Sequence, residues 1–178
     1  MPSLTSPLRR VGRLVAGQLG RLHDALERLA GEVRTAIARA IGQAQRLLEM
    51  ALDYSRQRIA FGHPIAEYQA IQWMLADSAV EIEQVKWLVL HAAWKADRGR
   101  DARHEASIAK LAGAGMIWRV VDRVMQIHGG MGYTKEMPIE RVMRDVRVYR
   151  IYEGTDEIQR RSIARNLLKG HATLRGWD

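Results

Sequence analysis

From Val11 to Ala51 apolar residues recur at steps of three and four: Val11, Val15, Leu19, Leu22, Leu26, Leu29, Val33, Ile37, Ala40, Ala44, Leu47 and Ala51. That spacing lines one face of an α-helix, whereas a half-buried strand would alternate at every second residue. Gly12, Gly17, Gly20 and Gly31 each lower helix propensity by up to about 1 kcal/mol relative to Ala. A break before residue 32 is therefore expected, with an uninterrupted helix from Val33 to Arg58.

The next clear stop is Ala60-Phe61-Gly62-His63-Pro64. Gly62 suits a left-handed helix cap, and Pro64 forces His63 out of helical geometry, so the chain reverses here. A second helix is expected from about Ala66 to Ala96, with Ile71, Met74, Leu75, Ser78, Ile82, Val85, Leu88 and Val89 on one side. Asp97-Arg98-Gly99-Arg100-Asp101 reads as a polar loop. A third helix follows from about Ala102 to Ile127, rich in small residues that permit close helix contact, and Gly129-Gly130-Met131-Gly132 ends it. Pro138 marks the start of a short helix. Val146 to Ile151 alternates like a strand and reads as an extended approach to a last helix from Thr155 to about Leu168. Long helices joined by short turns pack antiparallel, so the expected fold is all-α, an antiparallel four-helix bundle.

With 178 residues, 47% of them hydrophobic, the chain can bury a substantial core. The absence of cysteine removes disulfides, thiolate nucleophiles and cysteine-type metal sites at once. Six scattered histidines show no one-turn pairing with an acid, so no metal site is expected. No apolar run approaches the roughly 20 residues of a membrane span. The net charge of +8 suits a polyanionic ligand such as a nucleotide or coenzyme A. It also raises nucleic-acid binding, which the lack of any helix-turn-helix, RNA-binding or finger signature argues against, and which is not expected. The acid-free, arginine-bearing first 23 residues resemble an organellar transit peptide, but an ordinary basic helix in a bacterial, cytoplasmic protein is the preferred reading, with the mitochondrial matrix as the alternative.

The chemistry concentrates near Ile151-Tyr152-Glu153-Gly154-Thr155-Asp156-Glu157. Thr155 can accept from the first free N–H groups of a helix, and Asp156 and Glu157 sit where the helix dipole favours acids. Glu153 lies just outside that helix beside a residue without a side chain, leaving its carboxylate open space on one side and a placement suited to a base. An exposed acid before a helix is the plain alternative. Gln126 and His128 are polar residues at a helix end, able to hydrogen-bond a planar heterocycle or its phosphates; by itself the glycine cluster after them is more often a helix cap. Arg141, Arg144, Arg147 and Arg150 recur every third residue and are read mainly as a solvated face.

In order and spacing, Arg58-Ile59-Ala60-Phe61-Gly62-His63-Pro64-Ile65 with Tyr68-Gln69, then Gln126-Ile127-His128-Gly129-Gly130-Met131-Gly132-Tyr133, then Arg144-Asp145 and Ile151 to Thr155, resemble the C-terminal domain of the flavin-dependent acyl-CoA dehydrogenases. The resemblance runs from about Ala38 to Lys169. It implies a helical domain over 38–178 preceded by a divergent helical segment, 1–37. In the family an N-terminal helical domain and a middle β-domain precede this region and supply much of the binding of cofactor and thioester, and neither is expected in this sequence.

The resemblance further implies FAD as cofactor, and oxidation of an acyl-CoA thioester to the trans-2-enoyl-CoA, as in fatty acid metabolism. Glu153 would remove the α-proton, its own main-chain N–H would help to stabilise the enolate oxygen, and the β-hydrogen would leave as hydride to the flavin. Arg58, Phe61, Gln69, Gln126, Ile127, His128, Gly129, Gly130, Thr155, Asp156 and Glu157 match positions that contact FAD, several of them the flavin of a neighbouring subunit. Tyr152, Glu153 and Gly154 match the part facing the acyl thioester. The implied partners are an electron-transfer flavoprotein as acceptor, and a second copy of this chain or a chain supplying the missing domains. The alternative is a non-catalytic helical assembly module retaining the family's interface.

Overall fold

The structure, a computed structural model, describes residues 31–172, with side chains from residue 37. The apolar pattern before Gly31, most of the segment 1–37 and the last six residues lie outside it.

Helix α1 (Gly31–Gln57) buries Ile37, Ala40, Ile41, Ala44, Leu47 and Ala51, the stripe that its periodicity marks out. It crosses residues 37 and 38 without a break. A two-residue hairpin follows, β1 (Ile59–Ala60) antiparallel to β2 (His63–Pro64). This corrects the expectation of a helix cap at Gly62. The helix stops at Gln57, and Phe61 and Gly62, with φ of 53° and 87°, supply the paired left-handed residues of a tight hairpin turn. A 3₁₀ turn (Ile65–Glu67) leads into α2 (Gln69–Asp97), so the second long helix starts a few residues later than its apolar pattern suggests. The chain returns in α3 (Arg103–His128). Gly130–Tyr133 then form one further helical turn, α4, where the glycine cluster was expected only to end a helix.

Helix α5 (Ile139–Arg147) continues as a 3₁₀ turn (Val148–Arg150), and the approach to Glu153 is therefore helical rather than extended. Val146 and Tyr149, three positions apart, are the buried pair; the apparent alternation came from Val148 and Ile151, which are apolar but exposed. Helix α6 (Asp156–Leu168) closes the fold.

The arrangement is all-α and is centred on α3. Its C-terminal end meets that of α1, where the Tyr54 hydroxyl donates to the His128 carbonyl at 3.4 Å, so these two helices run parallel with α2 antiparallel to both. Between α2 and α3, Glu81 accepts from Arg119 Nε at 3.0 Å and from Arg123 Nη2 at 2.9 Å. Burial pushes the Glu81 carboxyl up, but the two guanidinium groups outweigh it and hold it below the ordinary value. One core joins Ile37, Ile41, Val85, Val89, Ile117, Val121 and Val146. Full burial of such side chains contributes about 1.5–3 kcal/mol each. Among the described residues no helix is long and apolar enough to cross a membrane.

Candidate functional site

The turn before α6 is built by contacts that reach it from three sides. Glu153 and Gly154 both have positive φ, 55° and 88°. For a glutamate that conformation is disfavoured and persists only where the surroundings hold it. Three contacts do so. Gln159 Nε2 donates to the Glu153 carbonyl at 3.1 Å, and Lys110 Nζ donates to the Gly154 carbonyl at 2.6 Å. The Ile158 N–H donates to Thr155 Oγ1 at 3.3 Å, the cap expected of Thr155. A Cβ on Gly154 would lie 2.7 Å from Gln159 Nε2. The space beside Glu153 is therefore partly filled by Gln159, a correction to the open side expected from a neighbouring glycine.

Behind the turn is a buried charge cluster. Asp156, in the first turn of α6, accepts from Arg150 Nε at 2.7 Å, and Lys110 Nζ lies 4.0 Å from its other oxygen. Burial lowers the pKa of Lys110, opposed by Asp156, Glu153 and Glu157 in that order. Arg150 thus departs from the solvated face, on which Arg144 keeps an exposed pair with Glu140 at 3.0 Å.

In front of the turn, Tyr149 and Tyr152 pack with ring centroids 5.5 Å apart, and the Tyr149 hydroxyl donates to Gln43 Oε1 at 2.8 Å. They line a cleft of about 580 Å³ with Arg39, Gln43 and Arg144. Tyr152 is pushed up to about 12 by burial, with Tyr149 and the negative charge of Glu153 adding to it. The half-buried Glu153 thus follows directly on an aromatic residue that lines the cleft.

The other sequence-predicted residues gather elsewhere. Arg58, Phe61 and Gln69 are exposed on the hairpin and the start of α2, Phe61 to 94%. Gln126, Gly129 and Gly130 are exposed at the C-terminal end of α3, and a Cβ at either glycine would meet nothing within 4 Å. Ile127 and His128 turn inward. The His128 ring is 2% exposed and stacks on Tyr54 with centroids 4.3 Å apart. Its Nδ1 donates to the Val124 carbonyl at 2.8 Å and its own carbonyl accepts from Tyr54, so His128 is buried under this surface and not presented on it. Lys110 and Gln126 are about 24 Å apart along α3 at 1.5 Å per residue. One chain therefore presents two separate half-sites: Tyr152 to Glu157 beside Lys110 in the N-terminal half of α3, and Arg58 to Gln69 with Gln126 to Gly130 at its C-terminal end.

Lys110, Gln159 and Arg150 were not singled out from the sequence as members of the site. The available signal was a lysine among Ala109, Gly113, Ala114 and Ile117 on the small, apolar face of α3. No group of residues able to hold a metal ion occurs among the described residues.

Fold and site together define a helical domain that carries an acid on a strained turn beside a cleft, with a second polar surface at the far end of the bundle. The family described as "Acyl-CoA dehydrogenase, C-terminal domain" matches residues 22–168, and the chain belongs to it. An acyl-CoA dehydrogenase of Bacillus subtilis is 46% identical over 133 residues, covering 75% of this chain and 35% of that protein. The structure of butyryl-CoA dehydrogenase from Megasphaera elsdenii superposes with a TM-score of 0.73 at 39% identity, over 76% of this chain and 35% of that one. The FAD complex of PigA superposes with a TM-score of 0.71 at 30% identity, over 74% and 34%. The chain thus spans about 35% of the length of the acyl-CoA dehydrogenases it matches.

Proposed function

We propose that this chain is the proton-abstracting, flavin-contacting part of an acyl-CoA dehydrogenase, working on a thioester held over the turn at Glu153. The observation that carries this reading is the left-handed Glu153-Gly154 pair, strapped by Lys110 and Gln159 beside the cleft of Tyr149 and Tyr152. Glu153 takes the α-proton, leaving the electron pair to form the Cα–Cβ double bond. Tyr152 and Gly154 face the acyl thioester. A thioester α-proton is too weakly acidic for a carboxylate in water, so donors must be aimed at the carbonyl oxygen where charge develops. The main-chain N–H of Glu153 is assigned that role.

FAD suits the residues present. Arg58, Gln69 and Gln126 supply exposed donors for phosphates and ring edges, and the open surface at Gly129 and Gly130 lets main chain approach a planar group closely. When bound, the cofactor supplies the acceptor for the β-hydride. Phe61 belongs to the same surface, and Ile127 and His128 support it from below; Thr155 and Glu157 would contact the flavin that serves Glu153, with Asp156 holding their turn from its buried position. The separation of the two half-sites supports oligomerisation, each chain completing the flavin site of a neighbour, and an electron-transfer flavoprotein is the acceptor on this reading. Residues 38–178 then form the working domain, with 1–37 leading into it. Such a protein would reside in the bacterial cytoplasm or, alternatively, the mitochondrial matrix.

A non-catalytic assembly module is favoured by one observation: Trp73, Val80 and Trp87 are exposed at seven-residue spacing along α2, a stripe suited to another helix. The two readings separate when the purified chain is mixed with FAD and a panel of acyl-CoAs and flavin absorbance is followed. Catalysis predicts bleaching that Glu153→Gln removes. Bleaching that persists in the variant sinks the assignment of the base, and failure to retain flavin in any oligomeric form sinks autonomous activity.

A further inference from the structure

Lys110 is nearly inaccessible, its side chain 1% exposed, where a lysine ordinarily keeps its ammonium in water. A buried ammonium is retained only where its hydrogens are used. Here one goes to the Gly154 carbonyl at 2.6 Å, on a residue 44 positions away in sequence. The carbonyl of the preceding residue, Glu153, is held by Gln159 at 3.1 Å. Successive peptide units are thus clamped by α3 on one side and α6 on the other. Because a peptide unit is planar, holding these two in a row restrains the φ and ψ of Gly154 and orients the peptide plane that carries the Glu153 Cα, the atom from which the carboxylate side chain departs.

We infer that Lys110 is a positioning residue for Glu153, imposing the left-handed turn through the Gly154 carbonyl while Asp156 balances its charge. This deepens the reading of Glu153 as a base and rests on it for its functional meaning. Two roles can be separated. A purely structural lysine would stabilise the whole bundle without favouring any segment; a positioning lysine acts on the turn first. The groups facing Glu153 are Lys110 from α3 and Tyr149 and Tyr152 from the preceding turn, with Asp156 behind it in α6.

The experiment uses the chain with no flavin or thioester, so its outcome is independent of whether flavin is ever bleached. Amide hydrogen exchange and the NMR titration of the Glu153 carboxyl are compared in wild type, Lys110→Met and Lys110→Arg. In Lys110→Met, exchange in the segment 150–158 should rise by at least about tenfold while α1 and α2 are unchanged, as expected for a local opening. The Glu153 carboxyl should titrate at a higher pH once the nearby cation is gone. Lys110→Arg, which keeps a donor and a charge, should restore most of both. Uniform acceleration across all helices, or a Glu153 titration unmoved by Lys110→Met, overturns the proposal. Should Lys110→Met not fold, the wild-type chain decides: a nuclear Overhauser contact between the Lys110 ε-methylene and the Gly154 α-protons is expected, and its absence overturns the proposal.

Discussion

Two places in this molecule share one backbone signature, a non-glycine residue with positive φ followed by a glycine with positive φ: Phe61-Gly62 and Glu153-Gly154. Their surroundings differ. The first sits at the tip of a two-residue hairpin, supported by local bonds such as the Ile65 N–H to the Arg58 carbonyl at 2.8 Å and the Tyr68 hydroxyl to the Ala60 carbonyl at 2.8 Å. Its Phe61 ring is 94% exposed. The second is pinned by groups from two helices and backed by buried Asp156. The same conformation thus serves two ends: one projects a side chain outward from a local ladder, and the other fixes a carboxylate from the interior. An element meant for another molecule can be held locally, whereas one that must hold a reactive group needs tertiary restraint.

Substitutions can break that contrast. Asp156→Ala should have the largest effect, because it strands the buried Lys110 and removes the partner of Arg150. A loss of about 3–5 kcal/mol in unfolding free energy is expected by urea denaturation. Gly154→Ala should follow at about 2 kcal/mol, since alanine is strained at a φ of 88° and its Cβ meets Gln159. Loss of the helix cap in Thr155→Ala should lower stability by about 1 kcal/mol. Phe61→Ser should change monomer stability by less than about 0.5 kcal/mol while weakening retention of flavin or the association of copies, measured by absorbance and sedimentation. If Phe61→Ser destabilised the fold as much as Gly154→Ala, the contrast would be lost.

A pH effect belongs to the hairpin end. Burial lowers the pKa of His128, with its bond to the Val124 carbonyl opposing. The folded state therefore binds its proton less readily than the unfolded chain. The stability it contributes is present above the unfolded value of about 6.5 and falls as pH drops toward the folded value, by up to about 1.4 kcal/mol per pH unit. Melting curves between pH 7 and pH 5 should show a smaller acid-induced drop in His128→Gln than in wild type.

Much of this was legible from residues. The stripe from Ile37 to Ala51 is the buried face of α1, and Thr155 caps α6 as its type and place suggest. The hairpin at Ile59 to Pro64 was not, because two-residue strands carry no periodicity and Gly62 fits a helix cap and a hairpin turn equally well. Val146 to Ile151 alternates in sequence because Val148 and Ile151 are apolar although exposed, while only Val146 and Tyr149 are buried. The parallel course of α1 and α3 follows from the short turns that make successive helices antiparallel, whereas the place where α6 returns to α3, at Lys110, is encoded by no local pattern. Lys110 escaped because a lone lysine in a helix is ordinarily solvated, and only the return of the chain at Gly154 reveals its partner.

The most direct test places this chain behind the N-terminal and middle domains of the Megasphaera elsdenii butyryl-CoA dehydrogenase and measures the rate of flavin reduction by butyryl-CoA. The account predicts a rate that slows several-fold with substrate deuterated at the α-carbon and falls by about 10²–10⁴ in Glu153→Gln. A Glu153→Gln rate within about twofold of the unsubstituted chimera would contradict it.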